Sequence, residues 1–594
     1  MTSATLELAV IGNCQIAALI DPHGSIVWCC LPRPDGDPVF SALLSPQSGG
    51  GDFSVEVERL VRAEQRYVPN TAIVETVLRD ASGAAVRITD FCPRYRARGR
   101  LFRPMALARI VEPIAGRPTV RIRLRPTRRL GERSVAVLEG SHHLRFRAQD
   151  VDYRLTTDCS LTTLSEERTV VLERPMHFLL GPDETVEESL TPLIGSMLLE
   201  TRAYWQDWVR TLAVPFDWQE AVIRAAITLK LCTYEDTGAL LAALTTSIPE
   251  SPDSGRNWDY RYCWLRDSYF AIQAMNRLGA TRTMEVYLHF IDNLVSRSSV
   301  GSLQPLYGIG GETLLDERVA PGLLGYRRMG PVRVGNGAAT QTQHDVYGSI
   351  ILAATQLFFD ERLLSAGDQA LFGRLQQLGE HCAAIYELPD AGPWELRGSQ
   401  HVHTFSAAMC WAGCDRLARI GWRLGDQAAA GRWRTTAEQM RQRILKQSWN
   451  QKRGAFTNTF GGTHLDASAL LLPELGLVSP ADPRFSSTLE LIGRELRQGD
   501  LLFRYRHADD FGEPSTAFAI CAFWYVNALA ATGRSQEARE HFERLLSRRT
   551  ALGLMAEDID IASGHPWGNF PQTYSMVGII HCAMRLSRRW EDEL

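Results

Sequence analysis

The stretch NWDYRYCWLRDSYF, residues 257–270, sets six aromatic side chains among two arginines and two aspartates in fourteen positions. It is too polar for a core helix and too aromatic for an ordinary solvated loop. A pyranose asks for this mixture: its apolar C–H faces stack on aromatic rings, and its rim hydroxyls need planar hydrogen-bond partners. The adjacent Arg266 and Asp267 are candidates for a fork that grips neighbouring hydroxyls, with Trp258, Tyr260 and Trp264 as walls. A structural ion pair packed on an aromatic cluster explains the same composition equally well.

Outward from this stretch the chain divides into two parts of different period. On the N-terminal side, GSIVWCCL (24–31), DFSVEVERL (52–60), TAIVETVLRD (71–80), AVRITDF (85–91) and TVRIRLRP (119–126) alternate apolar and polar residues between Gly, Pro and Asp. Strands in succession without interleaved helices predict an antiparallel β-sandwich over residues 1–192. LIGSMLLETRAYWQDWVRTL (193–212) reads as a connecting helix, which places a helical linker at 193–214. Over 215–594 apolar residues recur at three and four. Helices are expected near 217–232, 265–278, 281–297, 341–357, 368–387, 401–424, 426–448, 466–474, 484–497, 515–531, 535–548 and 572–587.

The connections alternate in length. ESPDSGRNWDYRY, GIGGETLLDER, AGPWELRGSQH, FRYRHADDFGEP and MAEDIDIASGHPWGNFPQ are long and rich in Trp, Gly, Asp and Glu, whereas LGAT, LGD and TGR are short turns. Long loops gathered at one end of a helical scaffold are where sites are built, so a toroid of helix pairs around a loop-lined pocket is expected.

Composition excludes several classes. At 594 residues, with 45% apolar and 22% charged side chains, the chain is globular and long enough for two cores. A net charge of -4, from 64 basic against 68 acidic groups, leaves no electrostatic footprint for nucleic acid. The first residues, MTSATLELAVIGNCQIAALID, lack a basic start and are broken by Glu7, Asn13 and Asp21, so no secretory signal is expected. No apolar run of membrane-spanning length follows. The twelve cysteines include no CxxC pair, which favours reduced buried thiols and a cytoplasmic location. His401 and His403 stand close together, but without an HExxH or Cys/His array no metal site is expected. The GxSxG, Walker and dinucleotide fingerprints are absent, and no cofactor is implied.

Splitting a glycoside needs one protonated acid at the leaving oxygen and one ionised carboxylate acting on water or carbon. The loops offer Glu312, Glu395, Glu513, and Glu557 beside Asp558. The indole of Trp394 can desolvate Glu395 and favour an acid, while Glu557 beside Asp558 suits a carboxylate kept charged in a wetter corner. Residue types alone do not choose the pair.

The motifs, taken in order, do more. RNWDYRYCWLRDSYF, GIGGE (308–312), PVRVGNGAATQTQHDVYG (331–348), PWELRG (393–398), HTFSAAMCW (403–411), LDASALLLP (465–473), AFWYVNALAATGR (522–534) and GNFPQTYS (568–575) closely resemble glycoside hydrolase family fifteen, the bacterial glucoamylase and trehalase group. AVIGNCQIAALIDPHGSIVWCCLPRPD is similar to the β-rich domain of its trehalase-like branch. The resemblance covers nearly the whole chain. It implies an (α/α)6 barrel after the β-domain and hydrolysis with inversion, with Glu395 as general acid and Glu557 as general base, facing each other across roughly 6.5–9.5 Å. It places Trp264, Arg266, Asp267 and Trp394 around the glucosyl unit, with Tyr260 beside the ring oxygen. Arg333 and Asn569 join the substrate-binding positions.

Asp558 departs from the more usual Glu or Gln after the base, and IPESPDSGRNWDY departs from the PEEIGGxRNWDY-like form near the pocket. The two-domain layout favours a small α-glucoside, trehalose first, with maltose-type or isomaltose-type links as alternatives. A glycoside phosphorylase or a non-catalytic sugar-binding protein is a remoter alternative, and a homo-oligomer is compatible with the sequence.

Overall fold

The computed structural model describes residues 4–45, 51–131, 133–147, 151–299 and 301–592. Its N-terminal part consists of two antiparallel sheets. One has seven strands, among them Ala9–Gly12, Ile26–Leu31, Asp52–Val57 and Thr119–Arg125. The other has eight, running from Ala136–Glu139 through Leu107–Ala115 to Leu60–Tyr67. Val74–Asp80 buries every second residue, as a strand with one face on a core must. The inner faces meet in a core that includes Ile26, Phe53, Val86, Ile88 and Phe178. A buried Arg109 ties the sheets together. It pairs with Asp90 of one (2.7 Å) and donates to the Phe53 carbonyl of the other (2.7 Å).

The connecting helix spans Leu190–Arg210, three residues earlier than periodicity suggests. Pro192 falls in its first turn, where a missing N–H costs nothing. Beyond it, six inner helical elements close a ring: Leu265–Arg277, Asp345–Ala354, Thr404–Arg423, Ala467–Leu475, Ala519–Ala531 and Thr573–Leu586, the last packing on both Ala519–Ala531 and Leu265–Arg277. Outer helices Gln219–Leu231, Thr281–Arg297, Gln369–Ile385, Gln427–Ser448, Pro483–Glu495 and Ser535–Leu546 pack around them. Inner helices are buried nearly all round, Asp345–Ala354 completely, because neighbours cover them on every side. This is the (α/α)6 arrangement.

Most inner elements begin later than their period suggests, the helices at Asp345, Thr404 and Ala519 by three or four residues. Residues 341–344 are not helical but lead in to Asp345, which carries Gln341 and Gln343 inward. Thr516–Phe518 is a strand paired with Asp558–Asp560. The segment after Asp466 opens as a 3-10 turn, Ala467–Leu471, before the short helix Leu472–Leu475 with Pro473 in its first turn.

The β-domain reaches the back of the barrel loops. Trp28 donates its indole N–H to the Leu244 carbonyl (2.8 Å), and Arg261 donates to the Gly36 carbonyl (2.8 Å) while pairing with buried Asp259 (2.7 Å). Asp259 and Arg261 flank Tyr260, so the β-domain braces the loop that carries this residue. All twelve cysteines are free and buried, and no helix of the described residues is long and apolar enough to cross a membrane.

Candidate active site

The N-terminal ends of the inner helices and the long loops preceding them surround a pocket open to solvent. Tyr260, Trp264, Arg266, Asp267, Trp394, Glu395 and Glu557 all line it. Glu312 and Glu513 do not: the first pairs with Arg33 and the second lies beside Arg506.

Glu395 sits in a tight turn with φ +60°, a left-handed conformation unusual for a residue with a side chain. The turn is closed by Glu395 N–H to the Gly392 carbonyl (3.2 Å) and Leu396 N–H to the Ala391 carbonyl (3.1 Å). Three donors converge on its Oε1: Trp264 Nε1 (2.7 Å), Arg266 Nη2 (3.3 Å) and Gln343 Nε2 (3.3 Å). The side chain keeps 22% of its surface exposed. The Trp394 ring packs near Tyr505, Phe518 and Trp524, and its N–H goes to Asp466 (2.7 Å).

Glu557 directly precedes the strand Asp558–Asp560, and its carbonyl accepts from Ala519 N–H (2.9 Å). Tyr260 donates its hydroxyl to Oε1 (2.6 Å), and Oε2 has no partner among the described residues. The corner is not wet: Glu557 is 1% exposed. Burial, then Asp558, then Glu250 push its carboxyl group well above the ordinary range, against the pull of the Tyr260 hydroxyl and Arg504. A β-carbon on Gly568 would sit 2.6 Å from that of Glu557, so only glycine fits there. Tyr260 and Trp264 meet edge to face at 5.2 Å, which joins the supports of the two carboxyl groups.

The Arg266–Asp267 fork does not form as the sequence suggests. Arg266 is spent on protein groups, donating to Gln343 Oε1 (2.9 Å), Asp345 Oδ2 (3.1 Å) and Glu395. Both residues line the pocket, and no side-chain hydrogen bond within the described residues engages the Asp267 carboxyl group. Burial pushes it up to about 7, against Arg266, with Glu395 and Asp345 adding to the rise.

Two expected positions lie outside the pocket lining. Asn569 is buried with its amide consumed, accepting from Thr245 Oγ1 (2.9 Å) and donating to the Trp258 carbonyl (2.9 Å); it fixes loops together. Arg333 pairs with Glu317 (2.9 Å) and lies 5.4 Å over the ring of Trp258. His401 and His403 stand 6.1 Å apart, and no group of three or more His, Cys, Asp or Glu among the described residues is arranged to hold a metal ion.

Residue types alone also miss several lining groups. Glu250 accepts from the Trp258 indole (3.1 Å) and from Arg504, which together form a second buried charge cluster behind Glu557. Nothing local signals a pair 254 residues apart. Gln341 lines the pocket, and buried Gln343 stands behind it, accepting from Arg266 and donating to Glu395.

A barrel whose loops set two carboxyl groups into one aromatic-walled pocket defines a glycoside hydrolase. Residues 217–584 match the family described as Glycosyl hydrolases family 15, and the chain belongs to it. Residues 3–168 match the domain described as Trehalase-like, N-terminal. The chain is 33% identical to the trehalase of Mycobacterium tuberculosis, over 99% of its own length and 90% of the relative's. It is 29% identical to the trehalase of Thermoplasma volcanium, over 97% and 92%. A bacterial glucoamylase complexed with acarbose shares the fold, with a TM-score of 0.72 at 14% identity, over 98% of this chain and 94% of that one.

Proposed function

We propose that this chain hydrolyses trehalose with inversion, releasing one glucose first as the β-anomer, with Glu395 as general acid and Glu557 as general base. The observation that carries the mechanism is the pair of carboxyl groups in one pocket, each with one oxygen occupied. Three donors on Glu395 Oε1 leave Oε2 to carry the proton, which passes to the leaving oxygen as the glycosidic bond breaks. Tyr260 on Glu557 Oε1 leaves Oε2 to take a proton from the water that attacks the anomeric carbon from the opposite face. Trp264, Tyr260 and Trp394 supply the walls and Asp267 the hydroxyl acceptor. The choice of trehalose is supported by curated trehalases that match almost end to end, β-domain included.

A panel of trehalose, maltose, isomaltose, panose and soluble starch tests the substrate. Trehalose should give the highest kcat/KM, in buffer without phosphate. Preference for starch would overturn the choice, and an absolute need for phosphate would replace hydrolysis by phosphorolysis.

The pocket's proton affinities add a pH signature. Sugar hydroxyls donate more strongly to ionised Asp267 than to its neutral form, so below pH ~7 binding is favoured by loss of a proton. KM should therefore rise as pH falls through about 7 and stay flat above it, and Asp267→Asn should remove that dependence. The same raised affinity works against the empty fold, and the contribution of Asp267 to its stability should fall as pH rises from about 4 to 7. Because Glu557 must be ionised to act, the acidic limb of kcat should lie above the ordinary carboxylate value of ~4.3. A KM independent of pH across this range would remove Asp267 from the sugar contacts.

A further inference from the structure

The motif LDASALLLP has no part in the mechanism above, yet its Asp466 is buried directly behind the acid-bearing turn. One carboxylate oxygen, Oδ1, accepts from Ser468 N–H (2.8 Å) and caps the 3-10 turn Ala467–Leu471. The other, Oδ2, accepts from Trp394 Nε1 (2.7 Å). Trp394 is the neighbour of Glu395, whose left-handed backbone is conformationally costly and persists only while surrounding contacts over-determine it. Downstream of Glu395, Asp510 grips the N–H groups of Arg397 (2.5 Å) and Gly398 (2.9 Å), but Asp510 is exposed and that grip is open to water. Upstream, the indole is the handle, and Asp466 is the buried group that holds its N–H.

We propose that Asp466 is a positioning residue for the general acid, acting through the Trp394 indole to hold Glu395 Oε2 in line with the leaving oxygen. The proposal rests on the reading of Glu395 as acid. Asp466 touches neither substrate nor reacting atoms; it fixes where the proton is delivered. Its defect should therefore depend on how much protonation the leaving group needs, which distinguishes it from a residue that merely stabilises the barrel.

The test uses trehalose, whose glucose leaving group needs a proton, and α-glucosyl fluoride, whose fluoride departs with little help. Asp466→Asn keeps an oxygen for the Ser468 cap and offers an N–H where Trp394 needs an acceptor. It should lower kcat/KM for trehalose about 100-fold, the scale of a 1 Å misplacement, mainly through kcat, and lower that for the fluoride less than about threefold. Trp394→Phe keeps an aromatic ring but removes the N–H, and should raise the fluoride-to-trehalose ratio of kcat/KM to a similar extent. Adding Asp466→Asn to Trp394→Phe should change that ratio no further. Equal losses on both substrates, no loss, or additive effects in the double variant would overturn the proposal. Should Asp466→Asn fail to fold, an unchanged ratio in Trp394→Phe alone would do so. A Glu395→Gln chain that loses both substrates alike would overturn the acid reading itself, and the proposal with it. If Glu395→Gln is spared on the fluoride while Asp466→Asn is not, only the positioning role fails.

Discussion

Glu557→Gln is expected to abolish turnover of every α-glucoside, whereas Glu395→Gln is expected to abolish turnover of trehalose and retain that of α-glucosyl fluoride. In a single displacement, water needs its base whatever group departs, but the acid matters only when the leaving oxygen must be protonated. Each loss should be on the order of 100- to 10000-fold, the usual worth of a positioned proton-transfer group. The glucose released from an α-glucoside should appear first as the β-anomer, visible by NMR before mutarotation. First appearance of the α-anomer, or rescue by fluoride of the Glu557 variant instead, would show that the roles are assigned wrongly. The burial of Glu557 makes this a clean experiment in one respect: a neutral amide relieves the crowding of Glu557, Asp558 and Glu250 around Arg504, so loss of activity should not be accompanied by loss of fold.

Arg266→Lys should cost roughly 100- to 1000-fold in kcat/KM, with ~1–3 kcal/mol of stability, although it keeps the charge. The guanidinium donates to three acceptors, Gln343, Asp345 and Glu395, and an ammonium on a shorter reach cannot hold all three in one plane. Asp345 is completely buried and its Oδ1 already lacks a partner, so a poorly placed cation leaves a carboxylate under-compensated. Glu395 loses one of the donors that hold its Oε1. Kinetics on trehalose with urea unfolding of both chains would separate the two effects. Near-normal turnover with reduced stability would mean that Arg266 serves the fold alone.

Arg266 also shows where reading residues along a chain stops. Its place beside Asp267 suggests a two-residue fork, because neighbours in sequence are the only partners a sequence displays. In the folded chain residues 266 and 267 begin a helix, where successive side chains diverge by about 100°. Arg266 turns to the loop that carries Gln343 and Asp345, and Asp267 is left to the pocket. Asn569 and Arg333 fail as lining residues for a related cause. Each lies in a motif that borders the site, but one faces the loop backbone and the other the ring of Trp258.

Local chemistry determined a great deal. The change from a two-residue to a three- and four-residue period separated sheets from helices, and the alternation of long polar loops with short turns told which end of the barrel would carry a site. The run around Trp264 fitted a sugar-sized polar and aromatic surface and a packed ion pair equally well, and the order of motifs along the chain decided between them. These features are legible because they depend on each residue and its near neighbours. What only the tertiary structure decided is the state of the groups: that Glu557 is buried and not wet, that Glu395 is held by three donors, and that Asp466 stands behind the acid. Proton affinity and hydrogen-bond supply are set by whatever lies within a few ångströms, and here the side chains that donate to Glu395 and Glu557 come from parts of the chain 52 to 297 residues away.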